Sequence, residues 1–287
     1  MHMESTLSPI RAIHPVTPYL GGKRNLAKRL VAEIERIPHA TYAEPFVGGG
    51  GVFLRRTSAP RAEVINDLNR DVATFFRILQ RHYVAFMEMI KFQLTTRAEF
   101  ERLVATDPDT LTDLERSARF LYLQRTAFGG KVSGRNFGVS PGRPGHFDVT
   151  KLGPLLEDLH TRLAGVVIEC LPYASFITRY DRPETLFYLD PPYWGCEGDY
   201  GRHLFERADF ERLADQLATL KGRFLMSIND TPEIRAIFAG FDLAEVSTTY
   251  TVAGRGNAKA AAELLISGGG CDGDASQASS KRASKTP

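Results

Sequence analysis

Apolar positions along the chain follow two periods, and the alternation between them outlines an architecture. Leu26, Leu30, Val31, Ile34 and Ile37 recur at helical spacing, and Pro38 closes the run. Thr41 to Leu54 reads as strand, glycine loop and helix, and Glu63 to Asn69 as a second strand that ends in an acid. Helical spacing then holds from Asn69 to about Arg125. It runs through Phe75, Phe76 and Leu79, through Phe86, Met89, Ile90 and Leu94, and through Phe100, Leu103 and Val104. After a break at Asp107-Pro108-Asp109 it resumes with Leu114, Ala118, Leu121 and Tyr122. These are the core faces of a small helical lobe.

Beyond the lobe, strand and helix alternate again. Leu152, Leu155, Leu156, Leu159 and Leu163 make a helix, Val166 to Cys170 a strand, and Tyr173 to Tyr180 a helix. Leu186 to Leu189 is continuously apolar, as a strand buried on both faces of a parallel sheet must be. Phe210, Leu213, Leu217 and Leu220 predict a helix, Arg223 to Asn229 a strand, and Thr231 to Ala239 a helix with Pro232 in its first turn. Phe241 to Val252 and Ala261 to Ser267 read as a closing antiparallel pair. The expected organisation is an α/β core over 16–70 and 148–267, an insertion over 71–147, a loose N-terminus over 1–15 and a disordered tail over 268–287.

Candidate chemistry gathers where strands end. Two prolines stop the central apolar strand, so Asp190-Pro191-Pro192-Tyr193-Trp194 sets a carboxylate at its carboxyl end, where open α/β sheets bind ligands. Asp190 and the Pro191 carbonyl can accept two hydrogen bonds, and Tyr193 offers a face for a flat substrate. Taken alone, the motif is equally a strand-ending turn with surface aromatics. Glu44-Pro45-Phe46-Val47 leads into four glycines, Gly48 to Gly51, which imply a tight turn pressed against a ligand or neighbour. Asp67, ending the next strand, completes the usual nucleoside-binding logic of doubly wound sheets. The spacing is wrong for a strict dinucleotide fingerprint and no Walker-type lysine follows, so a nucleoside cofactor without phosphates fits better. Upstream, Tyr19-Leu20-Gly21-Gly22-Lys23 precedes a helix. Lys23 there can meet an anionic group, or the stretch is a plain turn and helix start.

Composition adds little until it is localised. The 287 residues carry a formal charge of +2, 43% hydrophobic and 24% charged residues. From Arg116 to Phe147, however, there is no Asp or Glu, while Arg116, Arg119, Arg125, Lys131, Arg135 and Arg143 all fall there. That is either a solvated basic face or a surface for a phosphate backbone, with Ser133 and Asn136 available for base edges. A second basic loop runs from Ala253 to Lys259 through Arg255. Trp194 to His203 forms a polar loop able to cover a bound base. Three cysteines (Cys170, Cys196, Cys271) without metal-like spacing point to reduced thiols in a cytosolic setting and to no metal centre. There is neither a membrane-length apolar run nor the apolar core of a signal peptide. Nothing demands more than a monomer.

In their order, Pro18-Tyr19-x-Gly-Gly-Lys23, Glu44-Pro45-Phe46-x-Gly-Gly-Gly, Asn66-Asp67-x-Asn69 and Asp190-Pro191-Pro192-Tyr193 resemble the motifs of the Dam-like, D12-class DNA adenine methyltransferases, over roughly residues 17 to 267. The resemblance implies a Rossmann-like, mostly parallel seven-stranded sheet with an inserted target-recognition lobe of helices and a β-hairpin. It implies methyl transfer from S-adenosylmethionine, leaving S-adenosylhomocysteine, to adenine N6 in double-stranded DNA by base flipping and direct in-line attack, in a cytoplasmic enzyme of bacterial or phage origin. Carried over motif by motif, it gives Tyr19, Gly21, Gly22, Lys23, Glu44, Phe46, Gly48, Gly50, Asp67 and Asp190 to the cofactor. Asp190, Pro191, Pro192 and Tyr193 fall to the target adenine. Phe128 to Val139 becomes a DNA-reading hairpin, with Arg125, Lys131, Ser133, Arg135, Asn136, Arg143 and Arg255 on the DNA side. Gly129-Gly130-Lys131 departs from the asparagine-glycine pairing of GATC-reading relatives and leaves the target sequence open. Two rivals stand beside this reading: an amino-methyltransferase acting on RNA or another amino group, and an inactive DNA- or nucleoside-binding relative.

Overall fold

The computed structural model describes residues 7–19, 23, 25–132, 134–138, 142, 144–197, 204–251 and 258–270. Strand β1 (Ser8–Pro9) lies first, then helix α1 (Ala27–Arg36), which buries Ala27, Leu30, Val31 and Ile34 along one stripe. Strands β2 (Thr41–Glu44), β3 (Ser58–Ala59) and β4 (Ala62–Asn66) follow. Helices α2 (Arg70–Arg81), α3 (Tyr83–Ile90), α4 (Arg97–Ala105) and α5 (Asp113–Thr126) come next. Their starts are set locally. Asn69 accepts from the Asp71 N–H to cap α2, and Thr112 with Glu115 forms a reciprocal capping box on α5. The chain then runs through α6 (Val149–Arg162), β5 (Val167–Glu169), α7 (Tyr173–Tyr180) and β6 (Thr185–Leu189). It closes with α8 (Arg207–Ala218), β7 (Arg223–Asn229), α9 (Pro232–Ile237), β8 (Asp242–Thr251) and β9 (Ala258–Gly269).

The main sheet has seven strands in the order β5-β4-β2-β6-β7-β9-β8. The first five are parallel, and β9 runs antiparallel to both β7 and β8. Its residues alternate between two apolar clusters. Tyr42, Ile65, Leu186 and Tyr188 point into one, shared with α1, α2, α6 and the inserted helices. Ala43, Val64, Phe187 and Leu189 point into the other, shared with α7, α8 and α9. The α/β fold with a mostly parallel sheet is therefore as the sequence indicates. Because the inserted helices draw on the same core as the sheet, the lobe is not separately cored.

The connection order fixes where a ligand can sit. From β2 the chain winds outward through β4 to β5, then returns to lay β6 on the other side of β2. The crevice at the carboxyl ends of β2 and β6 is thus the topological switch point, where open α/β sheets bind their ligands.

Several expectations change. No α-helix follows the glycine loop, where Phe53–Arg55 makes only a 3-10 turn, and Met89, Leu94 and Val104 are exposed rather than on core faces. Residues 7–15 are ordered, not loose. β1 pairs with β3, the Ile10 and Ile13 N–H groups donate to the Thr57 and Leu54 carbonyls, and Ile13 and Val16 are buried. Strand β9 runs to Gly269, two residues into the expected tail. A Cβ at Gly268 would meet the rings of Phe241 and Phe224 at 3.0 and 3.1 Å, and Gly269 (φ +90°) has the Gly222 carbonyl where its Cβ would stand. Those glycines serve packing rather than disorder. Arg116 and Arg119 do not face solvent. Arg116 binds Asp71 Oδ1 at 2.7 Å and also Asp109, while Arg119 donates to the Leu103 carbonyl and lies 3.6 Å from Asp71. Finally, the expected hairpin over Phe128 to Val139 has no paired strands among its described residues, and opens on a 3-10 turn over Phe128–Gly130. Phe137 bridges to Ala127 instead, with the Phe128 N–H on the Asn136 carbonyl and the Gly138 N–H on the Thr126 carbonyl.

Candidate active site

Three carboxyl groups, Glu44 buried and the other two half-buried, end three adjacent strands: Asp67 just beyond β4, Glu44 on β2, and Asp190 just beyond β6. Two strand spacings set the outer pair about 10 Å apart. They line a cavity of about 380 Å³ together with Tyr19, Lys23, Phe46, Gly48, Gly49, Arg125 and Pro192.

The glycine loop shapes one wall. Gly48 (φ +50°) and Gly50 (φ +74°) take backbone conformations that L side chains rarely adopt. The Asp67 carboxylate fastens the loop, accepting from the Gly48 N–H at 2.9 Å through one oxygen and from the Asn69 N–H at 2.8 Å through the other. Burial nonetheless pushes Asp67 up to about 6, so it still gains from further donors. A ribose diol supplies that kind of donor. Gly50 stands behind the wall rather than in it, closing the turn with its N–H on the Val47 carbonyl. Phe46 packs among Tyr173 and Phe205, with ring centroids 5.6 and 5.9 Å away, which gives the cavity an aromatic side.

At the centre, Glu44 is 2% exposed and accepts the Tyr42 hydroxyl at 2.6 Å. Burial, reinforced by nearby Asp190, pushes its carboxyl up to about 8, so the group is neutral at pH 7. Asp190 is raised to about 6 by burial, with the Lys23 ammonium and the Ser227 hydroxyl pulling the other way and Glu263 adding to the rise. Lys23 Nζ lies 2.9 Å from Asp190 Oδ1, and its side chain is 1% exposed against 22% for Asp190. Asp190 therefore opens on the cavity and Lys23 stands behind it. Pro191 is buried. Tyr193 turns its hydroxyl inward to Glu263 and Lys23, which sits 4.3 Å from the ring centroid; burial raises this phenol strongly. Asn229, at the end of β7, holds the turn by its backbone. Its Oδ1 accepts the Trp194 N–H at 2.9 Å and its amide donates to the Trp194 carbonyl at 3.1 Å.

The residues expected on the DNA side divide. Lys131 and Asn136 are exposed. Arg125 is a strut, donating to the His146 carbonyl twice and to the Val16 carbonyl. Arg135 donates to the Lys131 carbonyl and to Gln124 Oε1, and burial lowers it to about 10. Gln124, fully buried, also donates to the Pro18 and Gly130 carbonyls and so ties the hairpin base to the segment carrying Tyr19. Gly21, Gly22, Ser133, Arg143, Arg255 and much of the loop after Trp194 lie outside the described residues.

Sequence reasoning missed Glu263, Gln124, Asn229, Tyr173 and Phe205. For the first three the available signal was a polar side chain heading or ending an otherwise apolar run. Among the described residues no group of His, Cys, Asp and Glu is placed to hold a metal, and no helix is long and apolar enough to cross a membrane.

Proteins similar to this chain are methyltransferases. The chain is 25% identical over 242 residues to the type II methyltransferase M.CviBI of Paramecium bursaria Chlorella virus NC1A, covering 82% of this chain and 90% of that protein. It is 27% identical over 260 residues to the type II methyltransferase M1.LlaDCHI of Lactococcus lactis subsp. cremoris, covering 83% and 89%. A DNA adenine methylase of Vibrio cholerae is 26% identical over 268 residues, covering 86% and 93%. Residues 19–252 match the model of the D12 class N6 adenine-specific DNA methyltransferases, a span that includes every strand-end carboxyl group described above, and the chain belongs to that family.

Proposed function

We propose that Asp190, with the Pro191 carbonyl, accepts the two N–H groups of the target adenine, and that Asp67, Glu44, Phe46, Gly48 and Tyr19 hold S-adenosylmethionine in the adjoining cavity. The observation that carries this reading is the placement of Asp190 and Asp67 on one cavity at the switch point of the sheet. The residues fit the cofactor: a half-satisfied carboxylate for ribose hydroxyls, an aromatic side for a nucleobase, and acidic groups for a cationic centre. S-adenosylmethionine supplies an electrophilic methyl group on a sulfonium.

The protein's part is to make a poor nucleophile competent. The adenine amino lone pair is delocalised into the ring, and two acceptors held out of water favour a pyramidal nitrogen with a localised pair. Their hydrogen bonds strengthen as the N–H groups become acidic, so they bind the transition state more tightly than the ground state. Asp190 is competent only when ionised, and the Lys23 ammonium favours that form. In duplex DNA this nitrogen is paired, so the base must leave the stack at a cost of a few kcal/mol. Stacking on Tyr193, worth about 1–3 kcal/mol, offsets much of that, and phosphate contacts from the Lys131 hairpin supply more.

Labelled methyl transfer from S-adenosylmethionine to unmethylated genomic duplex, followed by single-molecule sequencing, tests the reading. Label on adenine N6 in one short context is the expected result, with Asp190→Ala inactive yet still binding duplex. Turnover retained by Asp190→Ala would remove the assignment.

A further inference from the structure

Strand β9 carries one acid in an apolar stretch. Glu263 pairs across the sheet with Asn229, precedes Leu264, Leu265 and Ile266, and is fully buried. An ionisable side chain in such a place is costly unless it is paired, and an apolar residue of similar size would serve packing better. Its partners are groups of the active site. Oε1 accepts the Tyr193 hydroxyl, and Oε2, which makes no hydrogen bond, lies 3.6 Å from Lys23 Nζ.

We propose that Glu263 is a positioning residue for methyl transfer: it shares the Lys23 ammonium with Asp190 and anchors Tyr193, so that Asp190 stays an incompletely neutralised acceptor for the target amino group. This rests on the reading of Asp190 given above. Among the described residues, the titratable groups facing Asp190 are Lys23 from the segment before α1, Glu44 from β2, Tyr188 from β6, Tyr193 from the turn and Glu263 from β9. Lys23 is the cation among them. The Lys23 ammonium lies between two carboxyl side chains, 2.9 Å from Asp190 and 3.6 Å from Glu263. An uncharged side chain in place of Glu263 leaves it to Asp190 alone, and the tighter ion pair lowers both the proton affinity of Asp190 and its strength as an acceptor. Tyr193 would at the same time exchange a charged acceptor for a neutral one and hold its ring less firmly.

The test compares Glu263→Gln, Glu263→Asp and Asp190→Asn in single-turnover methyl transfer at saturating cofactor and duplex, across pH. Glu263→Gln keeps the side-chain shape and an acceptor for Tyr193. It is expected to slow transfer about tenfold at pH 8 and to move the acid limb of the rate profile down by about one pH unit, with cofactor and duplex affinity within about twofold. Glu263→Asp keeps the charge, so its acid limb stays at the wild-type position even where the shorter side chain lowers the rate. A merely structural role predicts the opposite pattern, a lower melting temperature in Glu263→Gln with an unmoved acid limb, and that result overturns the proposal. So does an Asp variant shifted as far as the Gln variant. Asp190→Asn separates the two levels. Transfer retained there refutes the reading of Asp190 itself, whereas loss of transfer there, beside a Glu263→Gln enzyme with the wild-type rate and limb, refutes only the role of Glu263.

Discussion

Tyr19 lies against Gly48 so closely that a Cβ on the glycine would stand 3.0 Å from the tyrosine Cε1. The four glycines are therefore not equivalent. Gly49 has Tyr19 Cβ at 2.9 Å and Thr17 Oγ1 at 3.2 Å, and Gly50 has Leu54 Cδ1 at 2.8 Å, but Gly51 meets only the Lys23 nitrogen, at an ordinary 3.5 Å. Gly50→Ala should cost about 1–3 kcal/mol of stability through its positive φ while leaving cofactor affinity nearly intact. Gly48→Ala should cost a similar amount and also weaken S-adenosylmethionine binding, because it displaces Tyr19 from the cavity wall. Gly51→Ala should be neutral or stabilising by about 0.4–1 kcal/mol, since it restricts the unfolded chain without strain. Thermal melts and calorimetric titration of the three variants decide this. Equal losses in all three would show that the loop lacks the described asymmetry.

A second prediction concerns pH and stability. Glu44 rises from its ordinary 4.5 to about 8 on folding, chiefly through burial. Between those values the folded chain holds a proton that the unfolded chain has released. The associated stability is complete at low pH and is lost as pH rises through 8, at up to about 1.4 kcal/mol per pH unit. Asp67 and Asp190, each raised from 3.8 to about 6, act with the same sign at lower pH. The cofactor-free enzyme should thus melt higher at pH 6 than at pH 8.5, and Glu44→Gln should remove most of that difference. An unchanged difference in the variant would place the titration elsewhere.

Asp67 makes a third test. Each of its oxygens accepts a backbone N–H, and Asp67→Asn would turn an amide N–H toward one of those donors. Hydrogen bonds to charged groups contribute about 1.5–3 kcal/mol, so affinity for S-adenosylmethionine should fall roughly tenfold to a hundredfold. Calorimetry with S-adenosylhomocysteine gives the same comparison without turnover. Wild-type affinity in Asp67→Asn would contradict the assignment of this carboxylate to the cofactor.

How much of this was legible in the sequence depends on whether cause and consequence are neighbours in the chain. Asp190 could be read because it ends a continuously apolar strand, which a parallel sheet buried on both faces writes into consecutive residues, and Asp67 because it follows the short apolar pair Val64-Ile65 one strand after the glycine turn. The Gly48 to Gly51 turn was legible for the same reason. Glu263 was not, because its meaning lies in Lys23 and Tyr193, which only the fold brings to it. Arg116 was misread for the mirror-image reason. The acid-free window around it says nothing of Asp71, which neutralises it from 45 residues away. The glycines at 268 and 269 looked like tail composition until Phe224, Phe241 and Gly222 showed what they accommodate.

That correction yields the last prediction, which separates basic residues by burial rather than by count. Lys131 is exposed on the hairpin, whereas the Arg116 side chain is 4% exposed and held by Asp71 and Asp109. A phosphate contact releases counterions, so Lys131→Ala should weaken duplex binding about equally on all sequences. The slope of log affinity against log salt should drop by about 1, while surface truncation leaves stability within about 0.5 kcal/mol. Arg116→Ala removes the 2.7 Å partner of Asp71, which keeps Arg119 at 3.6 Å, while the exposed Asp109 keeps Arg70, so the cost should stay below the roughly 3–5 kcal/mol of breaking a fully buried pair. Its duplex binding should keep the wild-type salt slope wherever the variant remains folded. Fluorescence anisotropy at several salt concentrations, paired with thermal melts, distinguishes the two. A shallower slope in Arg116→Ala would return that arginine to the DNA surface, and an unchanged slope in Lys131→Ala would move the duplex off this side of the hairpin.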